Sequence, residues 1–267
     1  MAATLKDVAA LAGVSRSAVS RCFTAGASVS PKTRAKIEKA ADQLGYRPNA
    51  LASSLTTGRT KLIGLVSNNF HNPVFLQVFD LFTRGLQERG LRPLLVNLSD
   101  ETDPAASLRQ LQQYSVDAVI VASSTLPASF AEGFHAAGVP VVHAFGRHGP
   151  TPKVSVVGID NKEAGRIAAR RLLKAGYRDI AMLAGPQNAT STEDRMFGFL
   201  DALKSEHEVK VRTSFATAYS FEAGWDEMHR LMAEGPLAQG NFCGDDVLSI
   251  GALSALQAAG KSGPGDV

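Results

Sequence analysis

At 267 residues, with 45% hydrophobic and 20% charged side chains, the chain has room for a large core and a small appended domain. No run of about eighteen apolar residues and no apolar signal core is present, so the expectation is a cytoplasmic protein with no membrane partner. The net charge of +3 hides an asymmetry: residues 1–60 carry nine Lys and Arg against three acids, and the remainder 19 against 22. A basic head on a mildly acidic body fits a chain whose head alone meets phosphates. The two cysteines, Cys22 and Cys243, are far apart in sequence, which excludes a disulfide framework and suits a reducing compartment.

Taken in order, Leu5, Val8, Ala9 and Ala12 form one apolar stripe on a short helix capped by Thr4. Gly13-Val14 breaks the pattern, and Ser15 caps a second helix running to about Phe23. On it Arg16, Ser17, Ser20 and Arg21 share a polar, basic front, while Ala18, Val19 and Cys22 form the back. Two short helices joined by a Gly turn, one with a basic front, describe a helix-turn-helix DNA reader. Ser30-Pro31 opens a third helix, whose Ile37, Ala40, Ala41 and Leu44 are expected to close the small core before Gly45. Residues 46–60 form a linker, and its segment ALASSL is too short to persist as a helix alone.

From Lys61 strands and helices alternate. LIGLVS, RPLLVN, DAVIVAS, VPVVHAF, VSVVGID, DIAMLAG, VRTSFA and NFCG read as strands. Helices are expected over the Phe75, Val78, Phe79, Phe82 and Leu86 stripe, then near 103–113, 127–137, 161–175, 193–204, 221–233 and 246–259. Such alternation means βα units and a parallel sheet covered on both faces. The strand count exceeds one compact sheet, so two Rossmann-like lobes joined near Gly158–Asn161 are expected, with a ligand at the C-terminal strand ends.

Phosphate-loop, dinucleotide, nucleophile-elbow and zinc-protease signatures are all missing, and the six His show no ligand spacing. The expectation is a non-enzyme without cofactor or metal. His143 on its apolar strand reads as a satisfied core residue, and Trp225 as core.

The phrases TLKDVAALAGVSRSAVSR and SPKTRAKIEKAADQLGYRPNALASSL resemble the lactose-repressor/galactose-repressor (LacI/GalR) family of bacterial transcription regulators. IGLVS, NPVF, VSVVGIDN, AGYRDIAMLAGP and FCGDDVLSIGAL extend the resemblance over nearly the whole chain. It implies an all-α helix-turn-helix head (1–46), a hinge or linker helix (47–60) and an α/β core of periplasmic-binding-protein-like architecture. The core divides into an N-terminal lobe (61–160) and a C-terminal lobe (161–267). After KSGPGDV such proteins continue into further strands, so the second lobe is expected to be incomplete and the chain truncated.

On the reader helix Arg16, Ser17 and Arg21 match base-contacting positions. Ser15, Ser20, Lys32 and Thr33 suit phosphate contacts, and Thr4 and Asn49 complete the DNA-contacting set. Leu55 falls where the family wedges a side chain into the minor groove; alternatively it anchors the linker on the core. For an effector, the resemblance carries over Phe75, Ser123, Ser124, Arg147, Asp160, Arg195, Tyr219 and Asp246. Phe75 could equally pack in the core, and Asp160 and Asp246 could be plain helix caps. The implied protein is a homodimeric regulator, by expectation a repressor, that binds a pseudo-palindromic operator. A small effector, by default a carbohydrate and otherwise a purine or nucleoside, controls it. The rival readings are a solute-binding module without a DNA role and a truncated regulator that senses nothing.

Overall fold

The computed structural model describes residues 3–24, 26–49, 54, 57–68, 70, 72–98, 104–147, 149–206 and 208–262. It divides into two units, Met1–Thr60 and Lys61–Val267. Leu55, and with it every residue of the segment ALASSL but Ser54, lies outside the described residues.

The head holds α1 (Leu5–Ala12), α2 (Arg16–Cys22) and α3 (Pro31–Leu44). Its helix starts are locally encoded. The Thr4 hydroxyl accepts the Asp7 N–H, and the Asp7 carboxylate takes the Thr4 N–H at 2.9 Å. The Thr4 hydroxyl and N–H hold the Asp7 carboxyl below the ordinary carboxylate range. Ser15 caps α2 through the Ala18 N–H, and Ser30 caps α3 through the Thr33 N–H. Gly13 ends α1 at φ 63°, where a side chain would be strained. Val8, Val19 and Ile37 are fully buried, together with Ala9, Cys22, Ala40, Ala41 and Tyr46.

Leu44 departs from expectation, being 37% exposed. The chain turns at left-handed Gly45, and Tyr46, bonded through its N–H to the Ala41 carbonyl, enters the core instead. Arg34 of α3 donates to the Cys22 carbonyl at 2.9 Å, tying α3 to the end of α2. That link had no local signature.

In the second unit, a first sheet is built from β1 (Leu62–Ser67), β2 (Arg92–Asn97), β3 (Ala118–Ala122), β4 (Val141–Ala144) and β5 (Ser155–Val157). All pairs are parallel and the order is β2-β1-β3-β4-β5. Helices α4 (Pro73–Glu88), α5 (Pro104–Gln113) and α6 (Ala128–Ala136) make the crossovers. Five of the six residues of β1 are buried without alternation, as a strand covered on both faces requires.

The chain then enters a second lobe of α7 (Asn161–Lys174), β6 (Asp179–Ala184), α8 (Thr190–Leu203), β7 (Lys210–Phe215), α9 (Phe221–Glu234), β8 (Gly240–Cys243) and α10 (Asp246–Ala258). Among the described residues this sheet has three parallel strands in the order β7-β6-β8. In both sheets the first strand lies between the next two, so a switch point opens at the C-terminal ends.

Two helix pairs touch backbone to backbone. A Cβ on Gly165 of α7 would overlap the Arg195 carbonyl, and one on Gly198 of α8 the Lys162 carbonyl. Gly224 of α9 and Gly251 of α10 face Leu248 and Phe221 in the same way. Helix α8 begins three residues before the expected position 193. Its cap, Ala189, offers no side-chain bond, and the Ser191 N–H instead reaches the Ser124 carbonyl of the first lobe at 3.2 Å. Trp225 is half-buried at the edge of the α9–α10 core, stacked on Phe221.

Candidate nucleic-acid interface and effector cleft

Val19 and Cys22 anchor α2 by its back, which leaves Arg16, Ser17, Ser20 and Arg21 exposed on the front. The Ser17 hydroxyl lies 2.9 Å from the Ser15 hydroxyl, drawn back over the helix start. No hydrogen bond or ion pair to another described residue engages the guanidinium of Arg16 or Arg21. Lys32 is exposed on the first turn of α3, whereas the Thr33 hydroxyl is bonded to Ser30 at 2.8 Å. Thr4 is occupied by its capping box, and Asn49 is exposed. The head therefore presents two uncommitted arginines on a rigidly backed short helix, a shape suited to reading base edges in a major groove.

In the core, the C-terminal strand ends of both lobes converge. Ser123 is buried in a polar knot: its hydroxyl donates to the Asn68 carbonyl oxygen at 2.8 Å and accepts the Thr125 and Leu126 N–H groups. The Ser124 carbonyl accepts both the Ser191 N–H and the Thr190 hydroxyl from the second lobe. Arg147 crosses in the other direction. Its Nε donates to Asp194 at 2.7 Å, and its Nη2 to Glu193 at 2.7 Å and to the Thr190 carbonyl at 3.0 Å. Burial alone would lower the Arg147 pKa, but the hydrogen bonds to Glu193 and Asp194 outweigh it and raise it. Phe145, just before this arginine, takes the left-handed conformation at φ 65°, the kind of strain that collects at functional turns.

Arg195 sits deeper in the second lobe, with Nε on Asn161 at 2.9 Å and Nη1 on the Gly244 carbonyl. The Tyr219 hydroxyl bonds Ser191 and Thr192 at the start of α8. Asp160 is exposed and caps α7 through the Glu163 N–H at 3.0 Å. Phe75 is buried among Phe79, Phe145 and Leu65, with its ring 5.2 Å from that of Phe145. Of the expected effector residues, the structure thus gathers Ser124, Arg147, Arg195 and Tyr219 around the start of α8. It leaves Phe75 and Ser123 in packed surroundings.

Asp246 is exposed, and the cap of α10 is its neighbour Asp245. Asp245 accepts the Val247 N–H at 3.0 Å, and across the lobes it takes the Asn72 amide at 3.3 Å. Sequence reading missed Asp245, Asn72 and Asp194; the acid doublet was the one available signal for the first. Burial pushes the Asp245 carboxyl above its ordinary range, opposed by the Val247 N–H and the nearby Arg195 charge. A raised folded-state value means that the native state keeps this proton to higher pH than the unfolded chain. Stability is therefore expected to fall as pH climbs from about 4 through the raised value. Asp245→Asn keeps an acceptor for both donors, so it should flatten that part of the melting-point profile, as scanning calorimetry would read.

His143 is fully buried, but only half of its polar edge is satisfied. Its Nε2 lies 3.2 Å from the Ser123 carbonyl, while Nδ1 has no partner among the described residues. Burial lowers its pKa, and the Ser123 bond opposes that only in part.

Among the described residues no helix is long and apolar enough to cross a membrane. Residues 4–49 match the family described as bacterial regulatory proteins, lacI family, and residues 63–267 match the periplasmic binding protein domain. The transcriptional regulator CelR of Thermobifida fusca is 33% identical over 271 residues, covering 99% of this chain and 80% of the relative. The repressor PurR of Pectobacterium atrosepticum is 31% identical over 272 residues, covering 99% and 79%. Among solved structures, a CelR–cellobiose complex is 32% identical with a TM-score of 0.68, covering 99% of this chain and 81% of that one. The lac repressor dimer bound to operator and the anti-inducer ONPF superposes with a TM-score of 0.87 at 23% identity, covering 100% and 81%, a likeness of fold. With a capped helix-turn-helix head, a two-lobed parallel α/β core and relatives matched along almost its entire length, the chain belongs to the LacI family of DNA-binding transcription regulators.

Proposed function

We propose that this chain is a cytoplasmic, non-catalytic repressor. It reads a pseudo-palindromic operator as a homodimer through residues 1–46, with 47–60 as hinge, and responds to a small carbohydrate held between the lobes 61–160 and 161–267. The observation that carries the DNA reading is the pair Arg16 and Arg21, exposed and uncommitted on a helix whose back is locked by Val19 and Cys22. Two symmetry-related heads reading two half-sites require a palindromic target.

The sensing half rests on the set of polar bridges between the lobes: Arg147 to Asp194 and Glu193, Ser124 to Thr190 and Ser191, and Asn72 to Asp245. A ligand that replaces some of these bridges binds the two lobe arrangements with different affinity, and only that difference can shift DNA affinity. Carbohydrate is preferred because one relative of 32% identity was solved with cellobiose, and because Arg195 and Asp245 suit sugar hydroxyls.

The test is fluorescence anisotropy of a labelled palindrome selected from random sequence, beside a scrambled duplex, at two salt concentrations. Preference for the palindrome with steep weakening in salt is the expected result; equal weak binding to both duplexes would sink the operator reading. Calorimetric titration with cellobiose, and with a purine nucleoside in parallel, tests the sensing half. Arg195→Ala should abolish binding of whichever binds, and heat from neither would refute a carbohydrate or nucleoside effector.

A further inference from the structure

The second-lobe sheet has a hollow at the end opposite the cleft, a cavity of about 480 Å³ between its strands, α9 and the turn that follows α9. Its floor is a row of three side chains set abreast by strand register. Arg212 of β7 pairs with Ala181 of β6, and Ala181 with Asn241 of β8. Side chains alternate across a strand, so all three share a face with Ser214, one row further along. The middle of the row is the smallest residue, which leaves the hollow open, and Leu231 and Leu237 supply an apolar wall. The cleft residues Gly244 and Asp245 follow the C-terminal end of β8, whereas Pro236 and Ala238 precede its start. The two places are separate.

The polar groups of this hollow are selective. Arg212 is neutralised by the Asp179 carboxylate at 3.1 Å, and Arg230 by Glu227 and Glu234. Three carboxylates thus answer two guanidiniums, which leaves no spare cation to draw an anion. Ser214, a residue only 7% exposed, borders the hollow, and its buried hydroxyl has no partner among the described residues. Asn241 spends its amide N–H on the Ala238 carbonyl at 3.0 Å, and its own carbonyl oxygen accepts nothing from a described residue. An orphaned buried hydroxyl is costly unless something meets it. A group that both donates and accepts would satisfy Ser214 and Asn241 together, and the volume falls in the range of small-molecule sites.

We propose that this hollow is a second ligand site, separate from the effector cleft, for a neutral hydroxyl-rich molecule of monosaccharide to disaccharide size. Saturation-transfer NMR with glucose and cellobiose as probes, at millimolar concentration, tests it on four proteins. Signal should persist in the wild type and in Arg195→Ala, which disables the cleft alone. On the Arg195→Ala background, where the cleft is silent, it should vanish with Ala181→Leu, which fills the floor, and Ser214→Ala should weaken binding about fivefold by removing one hydrogen bond. Should Ala181→Leu fail to fold by circular dichroism, Ser214→Ala decides, because it deletes a hydroxyl without adding volume. Absence of wild-type signal from both probes, loss in Arg195→Ala, or undiminished signal when Ser214→Ala or a folded Ala181→Leu is added to Arg195→Ala would each overturn the proposal. The Arg195→Ala arm keeps failure of the cleft reading distinct from failure of this one.

Discussion

Arg21→Ala will remove most of the preference for an operator palindrome while leaving binding to scrambled DNA nearly intact. Arg21 is exposed in the last turn of α2, with no described partner for its guanidinium to lose, so the head should fold unchanged. A guanidinium on the O6 and N7 of guanine contributes about 1–3 kcal/mol of discrimination. In a symmetric dimer the loss occurs twice, about 2–6 kcal/mol, which is roughly 30-fold to more than 10⁴-fold in affinity for the palindrome. On scrambled DNA the same change removes at most one phosphate contact per head, visible as a slightly shallower salt dependence. Lys32→Ala is the contrasting case: from its exposed place on α3 it should weaken both duplexes alike. Equal weakening of both duplexes by Arg21→Ala would make Arg21 a phosphate contact and return base reading to Arg16.

What could be read from the sequence, and what could not, divides along local and non-local causes. The caps Thr4, Ser15 and Ser30 act within three residues of themselves, and the expected head helices start where the structure starts them. The inner strands β1, β3 and β6 were legible because burial on both faces writes a nearly continuous apolar run. Leu44 obeyed the helical period but is exposed, because the turn at Gly45 carries Tyr46 inward. The start of α8 is set by the Ser124 carbonyl, 67 positions away in the chain from Ser191, with no capping side chain to announce it.

The cleft follows the same rule. Arg147 stood out as a cation after an apolar strand, but its partners Glu193 and Asp194 lie more than forty residues on, and nothing local joins them to it. Within the Asp245-Asp246 doublet either residue could have been the cap. Extended backbone at Asp245 (φ −156°) and the Asn72 amide from the other lobe decide it. Pattern reading finds which elements carry chemistry. It does not find which side chains are already spent on one another.

Gly198→Ala will be among the most damaging single-methyl changes in the core, and its effect will reach the cleft. The added Cβ would overlap the backbone carbonyl of Lys162, and helix backbone, unlike a side-chain tip, cannot swing aside. Overpacking of this kind costs about 3 kcal/mol or more, against about 1 kcal/mol gained from the better helix propensity of alanine. The net loss of about 2 kcal/mol lowers the melting point of a domain this size by roughly 4–8 °C. Gly133→Ala supplies the opposite sign: a Cβ on that α6 residue meets nothing within 4 Å, so the propensity gain stands alone and the melting point should rise. Relief of the Gly198→Ala overlap must push α8 from α7. Helix α8 carries Asp194 and Arg195, whose bonds reach Arg147 in the first lobe, Asn161 at the start of α7 and the Gly244 carbonyl after β8. A shift of several tenths of an ångström lengthens all three at once, so effector affinity should fall beyond what lost stability explains. Calorimetric titration well below the melting point separates the two effects: unchanged affinity in Gly198→Ala would mean that the glycine crossing supports the fold without aligning the cleft.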